Sequence, residues 1–288
     1  MSPRSRLAVL IVPLLLLSAA CGTPAPAPTP TPTPTPTPLE VMQGSAARMQ
    51  EVQSFRAELD MDMDLEVEGE SVALTMTAQM AWAQDGTIDM AFTMELPAPL
   101  GQMAFQEIVS EGDIYLRLGD LGWFRLTGEA AREFTGLDPE TLSLDFFRGL
   151  VPAGDVPWDL YTIEDLGREE VDGVQTQHLG IQVDIPRLLR ELDPESRQQL
   201  IQTFGAFGQD PTQLEELMES AEIRQMEVWI DDQGYQRRTL MEISYGALGT
   251  VRFDILVSDL NQDITVQPPD EYREGLPGTE ELLQFLTG

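Results

Sequence analysis

The stretch Phe55–Val67, FRAELDMDMDLEV, alternates without a break. Phe55, Ala57, Leu59, Met61, Met63, Leu65 and Val67 hold one phase, and Arg56, Glu58, Asp60, Asp62, Asp64 and Glu66 hold the other. Successive side chains of a strand point to opposite faces, so this pattern predicts a long strand with one buried and one solvated face. Glu68-Gly69-Glu70 turns the chain back. The next strand sets Val72, Leu74, Met76, Ala78, Met80 and Trp82 against Ala73, Thr75, Thr77 and Gln79. Asp85-Gly86 is a strong hairpin signal, and Ile88, Met90, Phe92, Met94 and Leu96 continue on a third strand. Shorter strands follow over Met103–Ser110, Asp113–Leu118 and Trp123–Thr127, completing an antiparallel meander.

Upstream, Leu39, Met42, Ala46, Met49 and Val52 recur at three- and four-residue steps and predict a short amphipathic helix. Downstream, Asp138-Pro139, Asp193-Pro194 and Asp210-Pro211 each pair an N-capping residue with a proline at the first helical position. The helices they open cover Pro139–Leu150 and two segments carrying Leu200, Ile201 and Phe204, then Leu214, Leu217 and Met218. Strands are expected at Trp158–Leu166, Val174–Ile185, Glu222–Asp231, Tyr235–Tyr245 and Thr250–Leu260, and a helical turn or two at Thr279–Leu286. Tight turns between neighbouring strands make the sheet antiparallel. A long sheet with one apolar face must curl and be covered, and the helices are the material for that. The expected fold class is α+β: a strongly curved antiparallel sheet, or incomplete β-barrel, with helices packed in its concave face.

The first twenty residues read as an export signal: Arg4 and Arg6, then the apolar run Leu7–Leu17, then Ser18, Ala19 and Ala20 before Cys21. A membrane-spanning helix needs roughly 20 apolar residues, so this run is too short. Cys21, the only cysteine, stands where lipoprotein processing would attach a diacylglycerol, although Ser18 replaces the leucine usual three places earlier. From Gly22 to Pro38 the chain is nearly pure Ala-Pro and Thr-Pro, which excludes helix and sheet. Such a segment is a stiff tether of about 3.1 Å per residue, reaching on the order of 50 Å. The expected organisation is therefore a signal peptide over 1–20, a lipidated tether over 21–38, a half-barrel domain over 39–270 and a tail with a short helix over 271–288. The expected location is the extracytoplasmic face of a membrane, reached through the lipid anchor.

The chain carries 49 acidic residues against 17 basic ones, all arginine, for a net charge of −32. Nucleic acid is not expected as a partner, nor is an anionic headgroup held by a basic patch. With one cysteine there is no intramolecular disulfide, so burial must supply the stability. Asp60, Asp62 and Asp64 share the opening spacing of a calcium loop, but Leu65 and Ser71 stand where that loop needs Gly and Glu. His178 is the only histidine and alternates with Leu179 and Ile181, which places it on the less apolar face of its strand. No P-loop, GxSxG, HExxH or dinucleotide fingerprint is present in the sequence. No enzyme activity, metal or cofactor is expected.

The stretch SAARMQEVQSFRAE (Ser45–Glu58), Val171-Asp172-Gly173-Val174-Gln175-Thr176 leading to Val183-Asp184-Ile185, WIDDQGYQRR (Trp229–Arg238) and Pro268-Pro269 together resemble the LppX/LprG group of lipoproteins. That group shares its fold with the lipoprotein carrier LolA, and the resemblance spans most of residues 40–270. It implies a LolA-like half-barrel that holds lipid acyl chains, or lipidated protein, in an apolar hollow beneath its helices, without catalysis. It carries over no particular site residue. The residues themselves put Leu59, Met61, Met63, Leu74, Met76, Met80, Met90, Phe92 and Met94 on the inward faces of three successive strands. They are the candidate lining for a lipid, since methionine is flexible and polarisable, though they equally suit a packed core. The expected partners are thus the membrane and a lipid ligand. The alternative is a sensor or interaction module with a collapsed core, which binds another envelope protein.

Overall fold

Unbroken alternation produces two 14-residue strands, β1 (Ser54–Val67) and β2 (Glu70–Ala83), paired antiparallel along their whole length from Ser54↔Ala83 to Val67↔Glu70. The structure is a computed structural model that describes residues 35–67, 70–95, 101–130, 158–183, 187 and 221–278. Its elements belong to one compact unit, Pro36–Gly288. The meander continues through β3 (Ile88–Glu95), β4 (Gln102–Ser110), β5 (Asp113–Leu118) and β6 (Trp123–Leu126). A second run comprises β7 (Tyr161–Val171), β8 (Val174–Val183), β9 (Glu222–Asp231), β10 (Gln236–Ser244) and β11 (Gly249–Ser258), and a two-residue β12 (Arg273–Glu274) ends the series.

All twelve strands form one open, curved sheet in the order β12-β6-β5-β4-β3-β2-β1-β11-β10-β9-β8-β7. The two meanders therefore meet at a single ladder, β1 against β11, from Arg56↔Ser258 to Leu65↔Gly249. Every pairing is antiparallel except that of β12 with β6, which is parallel and corrects the wholly antiparallel sheet expected. This last strand is too short to show in a hydropathy pattern. The Arg125 guanidinium, which meets Glu274 at 3.2 Å and Asp113 at 2.5 Å, joins it to the edge.

Local chemistry explains the turns. The Asp85 carboxylate accepts hydrogen bonds from the Thr87 amide (3.0 Å) and hydroxyl (2.7 Å), and these hold its pKa below the usual carboxylate value. In the β9–β10 turn Asp231 accepts from the amides of Gln233 and Tyr235, both at 2.9 Å, and from Arg237 Nε at 2.7 Å. The seventh strand differs from its expected span: it begins after a 3-10 turn at Trp158–Leu160 and runs on to Val171. Gly167, at φ +111°, absorbs a bulge between Asp165 and the next paired residue. The expected end at Leu166 is thus an irregularity within the strand.

The helix α1 (Pro38–Met49) begins in a capping box. Thr37 Oγ1 accepts from the Glu40 amide (3.2 Å), and the Glu40 carboxylate accepts from the Thr37 amide (2.7 Å). Its last turn reaches the β9–β10 turn, where Arg48 lies over the Tyr235 ring at 5.0 Å. Met42 is fully buried with Leu179, Ile181, Val228 and Ile230 of β8 and β9. This helix covers part of the same apolar face that β1 and β2 present. The ladder shows it: Ala78, Leu59, Ile255, Thr239, Val228 and Leu179 are consecutive partners in one row across the sheet. The helices expected from the three Asp-Pro starts, the tail helix, the turn at Gly69 and Leu96 lie outside the described residues, as does everything before residue 35. Among the described residues no helix is long and apolar enough to cross a membrane.

Where β1 leaves β11, the two backbones approach so closely that a Cβ on Gly249 would stand 1.9 Å from the Asp64 carbonyl oxygen and 2.9 Å from Leu65 Cα. The residue also holds φ +117°. Gly249→Ala is expected to cost on the order of 3 kcal/mol, because backbone cannot yield as a side chain can. Gly86→Ala, in a turn with φ +87° and open space around it, should cost about 1 kcal/mol. Urea denaturation of both variants beside the parent checks the order.

Candidate functional site

Because direct partners in an antiparallel ladder point to the same face, register identifies which side chains share a surface. Leu59, Met61, Met63, Leu74, Met76, Met80, Met90, Phe92 and Met94 all fall on one face, the one that α1 packs against. Met61 pairs with Met76, Met63 with Leu74, Met76 with Met94, and Met80 with Met90. Burial along this face is graded. Near the β2–β3 turn Trp82, Met80, Ile88, Met90 and Val109 are buried in one cluster with Ala57, Leu59 and Ile255. Toward the opposite rim, Met61, Met63, Leu74, Met76, Phe92 and Met94 are only half-buried.

One row concentrates the unusual chemistry. Met103, Met94, Met76, Met61, Phe253, Met241 and Met226 are consecutive partners across seven strands, β4-β3-β2-β1-β11-β10-β9. All seven side chains are half-buried. On the β11–β10–β9 side the adjoining rows are Ile255, Thr239 and Val228 on one flank and Val251, Ile243 and Ile223 on the other. A band of flexible thioethers thus lies between bands dominated by β-branched residues. Met103, Met226, Met241 and Phe253 were not singled out in the sequence. Each occupies the apolar phase of its strand, but only the long-range register aligns them with Met61. Beside the row, Phe92 stacks on Phe105 with ring centroids 4.6 Å apart.

A second feature missed in the sequence is Glu107. It pairs with Met90 on one side and Leu116 on the other, in the phase of Phe105 and Val109, so its carboxyl faces the apolar surface. Burial pushes its pKa above the usual carboxylate range. The signal was available: Phe105-Gln106-Glu107-Ile108-Val109 places an acid where alternation calls for an apolar residue.

The opposite face is polar. Asp60, Asp62 and Asp64 point outward along β1 at two-residue steps, Asp62 accepting from the Thr75 hydroxyl (3.2 Å) and standing across from Arg252. A shallow groove of about 320 Å³ lies here, lined in part by Asp62, Asp64, Thr75, Arg224, Glu242 and Arg252. Its polar walls do not suit an acyl chain. His178 lies on this face too, stacked on Trp229 with centroids 4.2 Å apart and its ring nitrogens facing Glu227 (2.9 Å) and Glu169 (3.4 Å). Trp229 Nε1 donates to Glu169 at 2.8 Å, and Arg238 covers the indole at 4.8 Å while holding Asp254. These groups satisfy one another, as a structural cluster does. Among the described residues no group of three or more His, Cys, Asp or Glu side chains is placed to hold a metal ion. Cys21 lies outside the described residues.

No protein-family model matches the chain, and no curated protein matches it. Among solved structures the chain is similar to LprF from Mycobacterium bovis, at 15% identity and a TM-score of 0.45, covering 83% of this chain and 99% of that one. It is similar to the lipoprotein LppX from Mycobacterium tuberculosis at 14% identity and a TM-score of 0.43, covering 80% and 98%. A LolA-superfamily protein from Nitrosomonas europaea is also similar, at 10% identity and a TM-score of 0.23, covering 81% and 96%. LppX and the LolA superfamily are the names to which the sequence resemblance pointed.

The Glu107 carboxyl gives the fold a pH signature of known sign. Its folded pKa lies above the unfolded value because burial disfavours the ionised form. Its contribution is therefore fully present below the unfolded carboxylate range and is lost as pH rises through the folded pKa. Glu107→Gln should melt at a higher temperature than the parent at pH 8, and this advantage should shrink toward pH 4. Thermal melts of both proteins at the two pH values test it.

Proposed function

We propose that this chain is a membrane-tethered extracytoplasmic lipoprotein that binds lipid acyl chains on the apolar face of its curved sheet. The observation that carries the reading is the methionine row, half-buried and continuous across seven strands. Thioether side chains have three rotatable bonds and a polarisable sulfur, so they conform to a ligand of variable shape better than β-branched residues do. A surface that holds an acyl chain needs wide apolar walls with few polar groups, and the rows on either side of the methionines supply them. The graded burial supports the same reading. One end of the face is a packed core that anchors the sheet, and the other keeps apolar area partly accessible. In this reading Cys21 carries the lipid anchor, and the proline-rich segment after it is the tether. Lipid handling then takes place within its reach of the membrane.

The protein extracted in detergent is expected to carry non-covalent lipid, visible by native mass spectrometry as mass beyond that of the lipidated chain. Met76→Glu, which puts a charge within the row beside its central Met61, should reduce retained lipid at least tenfold. Thr77→Glu, one residue along and on the solvated face, should leave it unchanged. Equal retention by both variants, or none by the parent, would overturn the reading in favour of a protein-interaction module with a packed core.

A further inference from the structure

Two polar groups on the apolar face have no partner among the described residues. Trp82 is buried, and its indole N–H donates to nothing. Glu107 makes no hydrogen bond or ion pair among the described residues, and desolvation alone acts on its carboxyl. The two lie in adjoining rows. Met80, Met90, Glu107, Leu116 and Phe124 form one, and Trp82, Ile88, Val109, Ile114 and Leu126 form the next. Two strands and two residues separate Glu107 from Trp82, a backbone distance of about 12 Å by ladder spacing. From β2 to β6 every other side chain in both rows is hydrocarbon or thioether, and past Phe124 the first row continues to Arg273. The buried Trp82 N–H is a standing cost to the fold, since a buried donor without a partner loses its hydration and gains nothing, and the half-buried Glu107 carboxyl is partly desolvated beside it.

We propose that Glu107 and Trp82 form a polar subsite within the acyl-binding face, which takes the uncharged oxygen centre of an ester- or hydroxyl-bearing lipid such as an acylglycerol. This rests on the lipid-binding reading above and adds the class of ligand. When protonated, which its desolvation favours, the carboxyl offers one O–H donor and a carbonyl acceptor, while an indole offers a donor only. A ligand that satisfies both must present oxygen acceptors to each, with a hydroxyl proton as an option at Glu107. Ester carbonyls and alcohols do this. Phosphate and free carboxylate do not fit, because a charge set among these apolar side chains loses its hydration, and Arg273, which continues the first row past Phe124, stands three strands from Glu107 with its guanidinium over the Phe124 ring. The acyl chains of such a lipid can then lie along the half-buried rows toward the methionines. A bound water at Glu107 would satisfy the carboxyl equally well, and the test separates the two.

The full chain in detergent is titrated with fluorescently competed dioleoylglycerol and with octadecane, which offers the same apolar contact and no oxygen. The parent is expected to prefer dioleoylglycerol by tenfold or more. Glu107→Leu should lose that preference while binding octadecane at least as well. Trp82→Phe, which keeps the aromatic packing and removes the N–H, should lose severalfold of it. Glu107→Gln, near-isosteric and still a donor, should keep most of it, which shows that the other losses are not misfolding. Unchanged preference in both Glu107→Leu and Trp82→Phe would mean that these groups meet only water, and the subsite is overturned while lipid binding stands. Binding of neither probe by the parent would overturn the lipid-binding reading and the subsite together.

Discussion

The pairing of β1 with β11 is the constraint on which the rest of the molecule depends. Strands β2 to β6 descend from one edge of β1, and β10 to β7 descend from one edge of β11. Remove that ladder and the chain becomes two meanders, each with an unpaired edge and half a core. The ladder joins residues roughly two hundred positions apart, so it forms against a large loop-closure entropy. What repays it is continuity of the apolar face. Ala57, Leu59 and Ile255 are buried in the cluster that also holds Met80, Met90 and Val109 from the other side. A shift of one residue would turn Leu59 and Met61 out to water and bring Asp60 and Asp62 in, so the register is strongly specified. Gly249 ends the ladder at a contact between backbones that admits no side chain.

This explains how far the sequence could be read. Alternation is local, so β1, β2 and the hairpin at Asp85-Gly86 were legible, and so was the face that each side chain takes. Alignment between strands is not local. Met103, Met226, Met241 and Phe253 join Met61 only through pairings across most of the chain, and nothing in their own neighbourhoods marks them. The strand expected to stop at Leu166 runs on to Val171, because a bulge between Asp165 and Gly167 interrupts its alternation without ending its pairing. β12 escaped notice because a two-residue parallel pairing has no periodicity at all. Glu107 was legible in principle, as an acid in the apolar phase of β4, but in so acidic a chain one more glutamate does not stand out.

The outer face shows two ways of treating a solvated surface. Across β7 to β11 it is tied by side chains: Val171, Trp229 and Leu240 are buried together with Leu256 against them, and His178, Arg238, Glu169 and Glu227 enclose the indole. Across β1 to β3 it is a ladder of Asp and Thr residues with few cross-links. The difference follows from what each half can bury. Strands β8 and β9 have α1 over their inner face, and on the outer face Trp229 contributes apolar area that a solvated strand would otherwise lack. The acidic ladder of β1 contributes solubility through its concentrated negative charge.

Methionine is not the residue a sheet would choose for stability. β-branched and aromatic residues fit the pleated surface best and lose least on ordering. The rows adjoining the methionines on β9 to β11 follow that preference, with isoleucine and valine at most positions. A row in which six of seven consecutive partners are methionine departs from it on both halves of the sheet at once, across the β1–β11 ladder. Packing alone gives no reason for the departure to follow one register line, because a core of fixed shape is better filled by side chains with fewer rotamers. A surface that must meet shapes not its own has such a reason. The band lies at the level where the face passes from buried to half-buried, which is where a guest chain would lie against the sheet. The physical case for ligand binding thus rests on the alignment of the methionines more than on their number.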